Sequence, residues 1–160
     1  MKNLIGLLCV GLIVCVIAMT ALASPAVGVT PTLLARGTYE GFKVKSHRSA
    51  PFEFEAEGKP AVDILVRTHD YAVGGSTGWH THPGPVFITV VQGILTVYEA
   101  DDPTCTPKLL YPGQGYVDTG HGHLVRNEWA QPARDVTVIT APVGLPFRGE
   151  LPAPNPNCGF

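Results

Sequence analysis

The chain has 160 residues, 18 of them glycine and 15 proline, with 11 Lys+Arg against 13 Asp+Glu for a formal charge of -2. That length holds one domain and not two. The small charge excludes a basic stripe for nucleic acid and an acidic disordered tail.

The N-terminus reads as a targeting segment. Lys2 supplies a short positive region, Leu4 to Met19 is almost unbroken apolar sequence, and Ala21-Leu22-Ala23 offers the small-x-small pattern read by a signal peptidase. Residues 1–23 are therefore expected to be a cleaved secretory signal. An uncleaved anchor is the alternative, because the apolar run is about long enough to cross a bilayer. Residues 24–37 read as a flexible lead, within which Leu33 to Arg36 could form at most one short helical turn.

Strand-like stretches follow. They are Ala61–Thr68, Val86–Gln92, Ile94–Tyr98, Lys108–Tyr111, Tyr116–Asp118, His123–Arg126 and Val136–Ala141, rich in β-branched and aromatic residues. Gly93 marks a tight turn or bend between the second and third, and Pro112-Gly113 breaks the chain later. No long amphipathic helix is apparent. Short strands with frequent turn residues predict an all-β sandwich or barrel over residues 38–145. Residues 146–160 form a proline-rich tail. Signal cleavage leaves two cysteines, Cys105 and Cys158, and an even number in an exported chain predicts a disulfide that pins this tail.

Chemistry concentrates in two runs. His80-Thr81-His82 puts two imidazoles on one face of an extended strand, because side chains alternate with period two. His123 lies downstream in Gly120-His121-Gly122-His123. Imidazole nitrogen suits several divalent transition metals, and three such ligands leave coordination positions open to water or substrate. By the same alternation His121 is a candidate fourth contact, although the flanking glycines make an irregular backbone there. His47 and His69 belong to no motif and read as structural or exposed.

The spacing resembles that of the cupins. Gly74, His80, His82 and Gly93 match the first cupin motif, with Val86 where the family pattern has glutamate. Gly120, His123 and Asn127 match the second, with Asp118 in place of proline. The match runs from Gly74 to Asn127, a third of the chain. The resemblance implies a double-stranded β-helix, or jelly-roll barrel, in a single domain. It also implies a metal, with iron, manganese or zinc all compatible with His80, His82 and His123. Val86 cannot coordinate, so the ligand set would be neutral and a divalent ion would keep its full charge. That weakens any reading as a manganese oxalate-oxidising germin.

Val86, Tyr116 and Asp118 are candidate pocket residues, and Trp79, Phe87 and Tyr98 are aromatics near the motifs. Alternation points Phe87 away from the metal, and Asn127 is expected to hold a turn or backbone group through its amide. Two functions fit. One is an exported metal-dependent cupin acting on or binding a small molecule, with dioxygen insertion the natural reaction class for three histidines. The other is a non-catalytic metal- or ligand-binding module. Cupins often pair, so a homodimer is expected from the resemblance. No nucleic acid is expected as a partner, nor a membrane once the signal is cleaved; the location is secreted or periplasmic.

Overall fold

The computed structural model describes residues 24–46, 51–152 and 158–160. The targeting segment at 1–23 and His47 lie outside the described residues. Ten strands occur among them: β1 Val27–Lys45, β2 Glu55–Ser76, β3 His80–Thr81, β4 Val86–Gln92, β5 Leu95–Glu99, β6 Lys108–Leu110, β7 Gly115–Asp118, β8 His123–Arg126, β9 Ala133–Pro142 and β10 Gly149–Glu150.

Hydrogen-bonded pairing arranges these strands in two layers. One layer runs β1-β2-β9-β4-β7 and the other runs β10-β3-β8-β5-β6. They join where Ser76 at the end of β2 pairs Arg126 of β8. All strand pairings among the described residues are antiparallel. The result is the all-β jelly-roll architecture of a nearly closed barrel, the double-stranded β-helix that the resemblance implied.

Period-two alternation decides what faces inward. On β4 the buried residues are Val86, Ile88 and Val90, while Phe87 points outward and is exposed. On β9 the buried residues are Ala133, Asp135, Thr137, Ile139 and Ala141. The apolar ones pack with Leu65, Leu95, Val97 and Val125 into one core. Burying each branched aliphatic side chain contributes roughly 1.5–3 kcal/mol.

Strands β5 and β8 break the alternation, because nearly every residue of both is buried. Their inner face meets the core and their outer face is covered in turn. Tyr98, Leu124 and Trp79 form a second cluster there with Cys158 from the tail. The predicted disulfide closes this cover: Cys105 bonds Cys158, with Cα atoms 5.3 Å apart.

Two expectations change. The stretch 24–37, read as a flexible lead with a helical turn near Leu33, is strand from Val27 onward and pairs with β2 through Lys45. The strand expected at Ala61–Thr68 extends in both directions to become the 22-residue β2. Gly93 makes the expected bend without closing a hairpin between β4 and β5. It bends the chain across the barrel, since β4 pairs β7 and β9 whereas β5 pairs β6 and β8.

Candidate metal centre

The three histidines meet where β3 and β8 run side by side. His80 pairs directly with His123 across the two strands, and His82 follows two residues later on the same face. One nitrogen from each ring lies within 4.8 Å of the other two. Ring centroids are separated by 4.4 Å for His80 and His123, 4.9 Å for His80 and His82, and 5.6 Å for His82 and His123. All three are buried.

An outward acceptor fixes each ring. His80 Nδ1 lies 2.8 Å from the carbonyl of Gly78, and His82 Nδ1 lies 2.6 Å from the carbonyl of Phe147. A carbonyl can only accept, so each Nδ1 carries the proton and each Nε2 keeps its lone pair. His123 Nδ1 faces Asp118 Oδ2 at 3.3 Å. Neither atom has a better-aligned hydrogen-bond partner, so this is a charge-oriented contact rather than a full hydrogen bond. A carbonyl or carboxylate behind each imidazole is the arrangement that orients metal-binding histidines.

Burial favours the neutral, ligating form. It pushes His80 well below the ordinary histidine range, with the nearby His123 and Arg148 adding to the effect. His82 is pushed down to about 4, again chiefly by burial and against the opposing pull of the Phe147 carbonyl. Three buried imidazoles, two of them held neutral with the tautomer fixed by a carbonyl, suit a divalent transition metal. His80, His82 and His123 would hold it.

Local sequence explains the placement. Gly78 adopts φ +69°, and a Cβ there would come within 2.0 Å of the Ser24 carbonyl oxygen, so only glycine lets the chain turn into β3. Trp79 then packs outward into the second cluster while His80 points into the barrel.

The remaining predicted residues fall in different places. Val86 lines the cavity beside the histidines. Asp118 pairs with Val86 across β4 and β7 and stands behind His123, outside the cavity lining. Tyr116 meets the His123 ring edge-on at 5.9 Å, and its hydroxyl donates to Glu99 at 3.2 Å. His121 does not join the trio. It is 68% exposed, and its Nδ1 lies 2.9 Å from Asp101 Oδ2. The reason is backbone conformation: Gly120 and Gly122 both have positive φ, which cancels the strand alternation between His121 and His123. Asn127 acts on the backbone as expected. Its amide donates to the carbonyls of Ala72 and Gln131, at 3.1 and 2.8 Å, and accepts from the Trp129 N–H.

Barrel, strand pairing and motif positions now coincide: the first motif ends in β3 and β4, the second in β7 and β8, and the two bring their histidines together between the layers. The fold is that of a cupin.

Solved structures similar to this barrel include a cupin superfamily protein from Desulfitobacterium hafniense, 15% identical over 49% of this chain and 68% of that one, with TM-score 0.44. A double-stranded β-helix protein from Klebsiella pneumoniae is 18% identical over 69% of this chain and 84% of its own, with TM-score 0.47. A recombinant oxalate oxidase in complex with glycolate is 25% identical, but the match spans 47% of this chain and only 40% of the oxidase, with TM-score 0.41. No protein-family model and no curated protein matches the sequence.

The cupin barrel encloses a cavity of about 530 Å³ that the trio borders. Its opposite wall holds polar groups that the motif pattern did not mark. Asp135 of β9, 1% exposed, accepts hydrogen bonds from the Tyr71 hydroxyl at 2.8 Å and the Thr137 hydroxyl at 3.0 Å. His69 of β2 pairs with Asp135 across the strands and brings Nδ1 to 2.8 Å from its carboxylate. His69 therefore lines the cavity rather than the surface. Arg67 and Arg148 line it as well. Alternating polar residues on Arg67-Thr68-His69-Asp70-Tyr71 were the available clue, since one inward face carries Arg67, His69 and Tyr71 together.

Proposed function

We propose that this chain is an exported metal-binding cupin whose His80, His82 and His123 hold a divalent transition metal, iron, manganese or zinc, and that it acts on or binds a small molecule in the adjoining cavity. The observation that carries this reading is the outward anchoring of the His80 and His82 Nδ1 atoms, with Asp118 behind His123, on three buried rings that each bring a nitrogen within 4.8 Å of the other two. A cavity of about 530 Å³ is in the range that takes a small organic ligand.

When bound, a redox-active metal on three neutral ligands would supply open positions for dioxygen and substrate. The chain's own contribution is to keep His80 and His82 neutral, to orient the three rings, and to set Val86 and Ile139 as apolar walls beside them. Export is supported by the Cys105–Cys158 disulfide, which fits an oxidising compartment, secreted or periplasmic. No helix among the described residues is long and apolar enough to cross a membrane. Pairing into a homodimer is supported by β1, which bonds β2 along one edge and exposes Val27, Leu33, Leu34 and Val44.

Metal analysis of protein purified without a histidine tag tests this reading. Iron, manganese or zinc should be taken up with a gain in thermal stability, and His123→Ala should reduce the occupancy sharply. Absence of uptake and of any stability gain would remove the site. Oxygen consumption by the iron form across a panel of small molecules then separates turnover from binding.

A further inference from the structure

Arg67 is a cation without a neutralising partner in a cavity where both nearby carboxylates are already engaged. Its side chain is half-buried on the inward face of β2, directly opposite Thr137 of β9. The guanidinium makes no hydrogen bond or ion pair among the described residues. It stacks over the Phe147 ring, 4.9 Å from the centroid. Asp135 already accepts from the Tyr71 and Thr137 hydroxyls and faces His69 Nδ1. Glu150 is taken by Arg148, which donates Nε and Nη2 to it at 2.5 and 2.8 Å and a further bond from Nη2 to the Thr77 carbonyl at 2.7 Å. Burial and the charge of Arg148 both pull Arg67 below the ordinary arginine value, with Asp135 opposing them, as befits a positive charge left under-compensated.

Geometry ties Arg67 to the metal centre. The Phe147 ring lies beneath its guanidinium, and the Phe147 carbonyl is the acceptor that orients His82. The rest of the lining is largely hydrocarbon, from Val86, Ile88, Val125 and Ile139. A buried cation is costly unless paired, so a ligand that brings an anion recovers that cost. A planar guanidinium matches a carboxylate through two parallel N–H···O bonds.

We propose that Arg67 is the anchoring residue of a carboxylate subsite, and that the cavity takes a small organic acid with an apolar body and its carboxylate on Arg67. This rests on reading the cavity as the ligand site of the cupin, and it names the class of ligand.

Calorimetric titration of the zinc-loaded protein with benzoate and with benzamide tests it. The two probes share a ring and differ in charge. Benzoate should bind in the millimolar range or tighter, and benzamide at least about tenfold more weakly. Arg67→Met should lose at least about tenfold in benzoate affinity, Arg67→Lys should keep part of it, and both should take up zinc as wild type does and retain the wild-type circular dichroism spectrum. The proposal is overturned if wild type does not bind benzoate, if benzamide binds as well, or if Arg67→Met binds benzoate unchanged. Failure of the metal reading shows separately: a wild type that takes up no zinc but binds benzoate through Arg67 loses the metal and keeps the subsite.

Discussion

Asp118 shows how a single side chain can serve the histidine site from behind one of its rings. Burial pushes its carboxyl up. The His123 imidazole and the Gly120 N–H outweigh this and hold it below the ordinary carboxylate value, hence ionised behind the ring. Outer partners of this kind set ring orientation and ligand basicity. Asp118→Asn should therefore weaken zinc binding by about 10- to 100-fold in a competitive chelator titration while the barrel stays folded. Unchanged affinity would show that packing alone orients His123. His80, His82, His123 and the non-coordinating Val86 were all readable from spacing, because ligands close in sequence obey strand alternation. Arg67, His69 and Asp135 were not. They meet only through the β2–β9 register, which joins positions 66 residues apart, as His69 and Asp135 are.

At the level of elements, the long β1–β2 pair depends on a polar tie. Asp63 on β2 accepts from the Thr38 hydroxyl at 2.6 Å and from the Arg36 guanidinium, both on β1. The Thr38 bond first, and the Arg36 bonds next, lower its pKa from 3.8. A carboxyl that is more acidic when folded contributes stability above its unfolded value, and that contribution is lost as pH falls through the folded value. Amide exchange along β1 should thus quicken below about pH 4, and Asp63→Asn should produce the same loosening at neutral pH. Exchange indifferent to both would assign the arm's order to backbone pairing. This strand escaped the sequence reading for a physical reason. Nearly all of β1 is exposed, so apolar residues fall on both faces and no alternation marks it. Strands β4 and β8, buried against the core, matched their predicted spans at both ends.

Across the molecule, the tail acts as an outer layer for the β5–β8 side. The disulfide joins residues 53 apart. Closing a loop of that size is worth roughly 4 kcal/mol in the chain-entropy model. Phe160 adds an edge-on contact with Tyr98 at 5.0 Å and lies under Arg126. Replacing Cys105 and Cys158 together with serine should lower the melting temperature by several degrees while metal uptake persists. An unchanged melting temperature would mean that the tail's own packing suffices.

The orienting groups behind the trio differ in kind. Those of His80 and His82 are main-chain carbonyls, at Gly78 and Phe147, and only that of His123 is a side chain. Side-chain replacement leaves a main-chain carbonyl in place. Two of the three orientations are therefore shielded from direct loss by point mutation, and inheritance can erode the third through Asp118 alone.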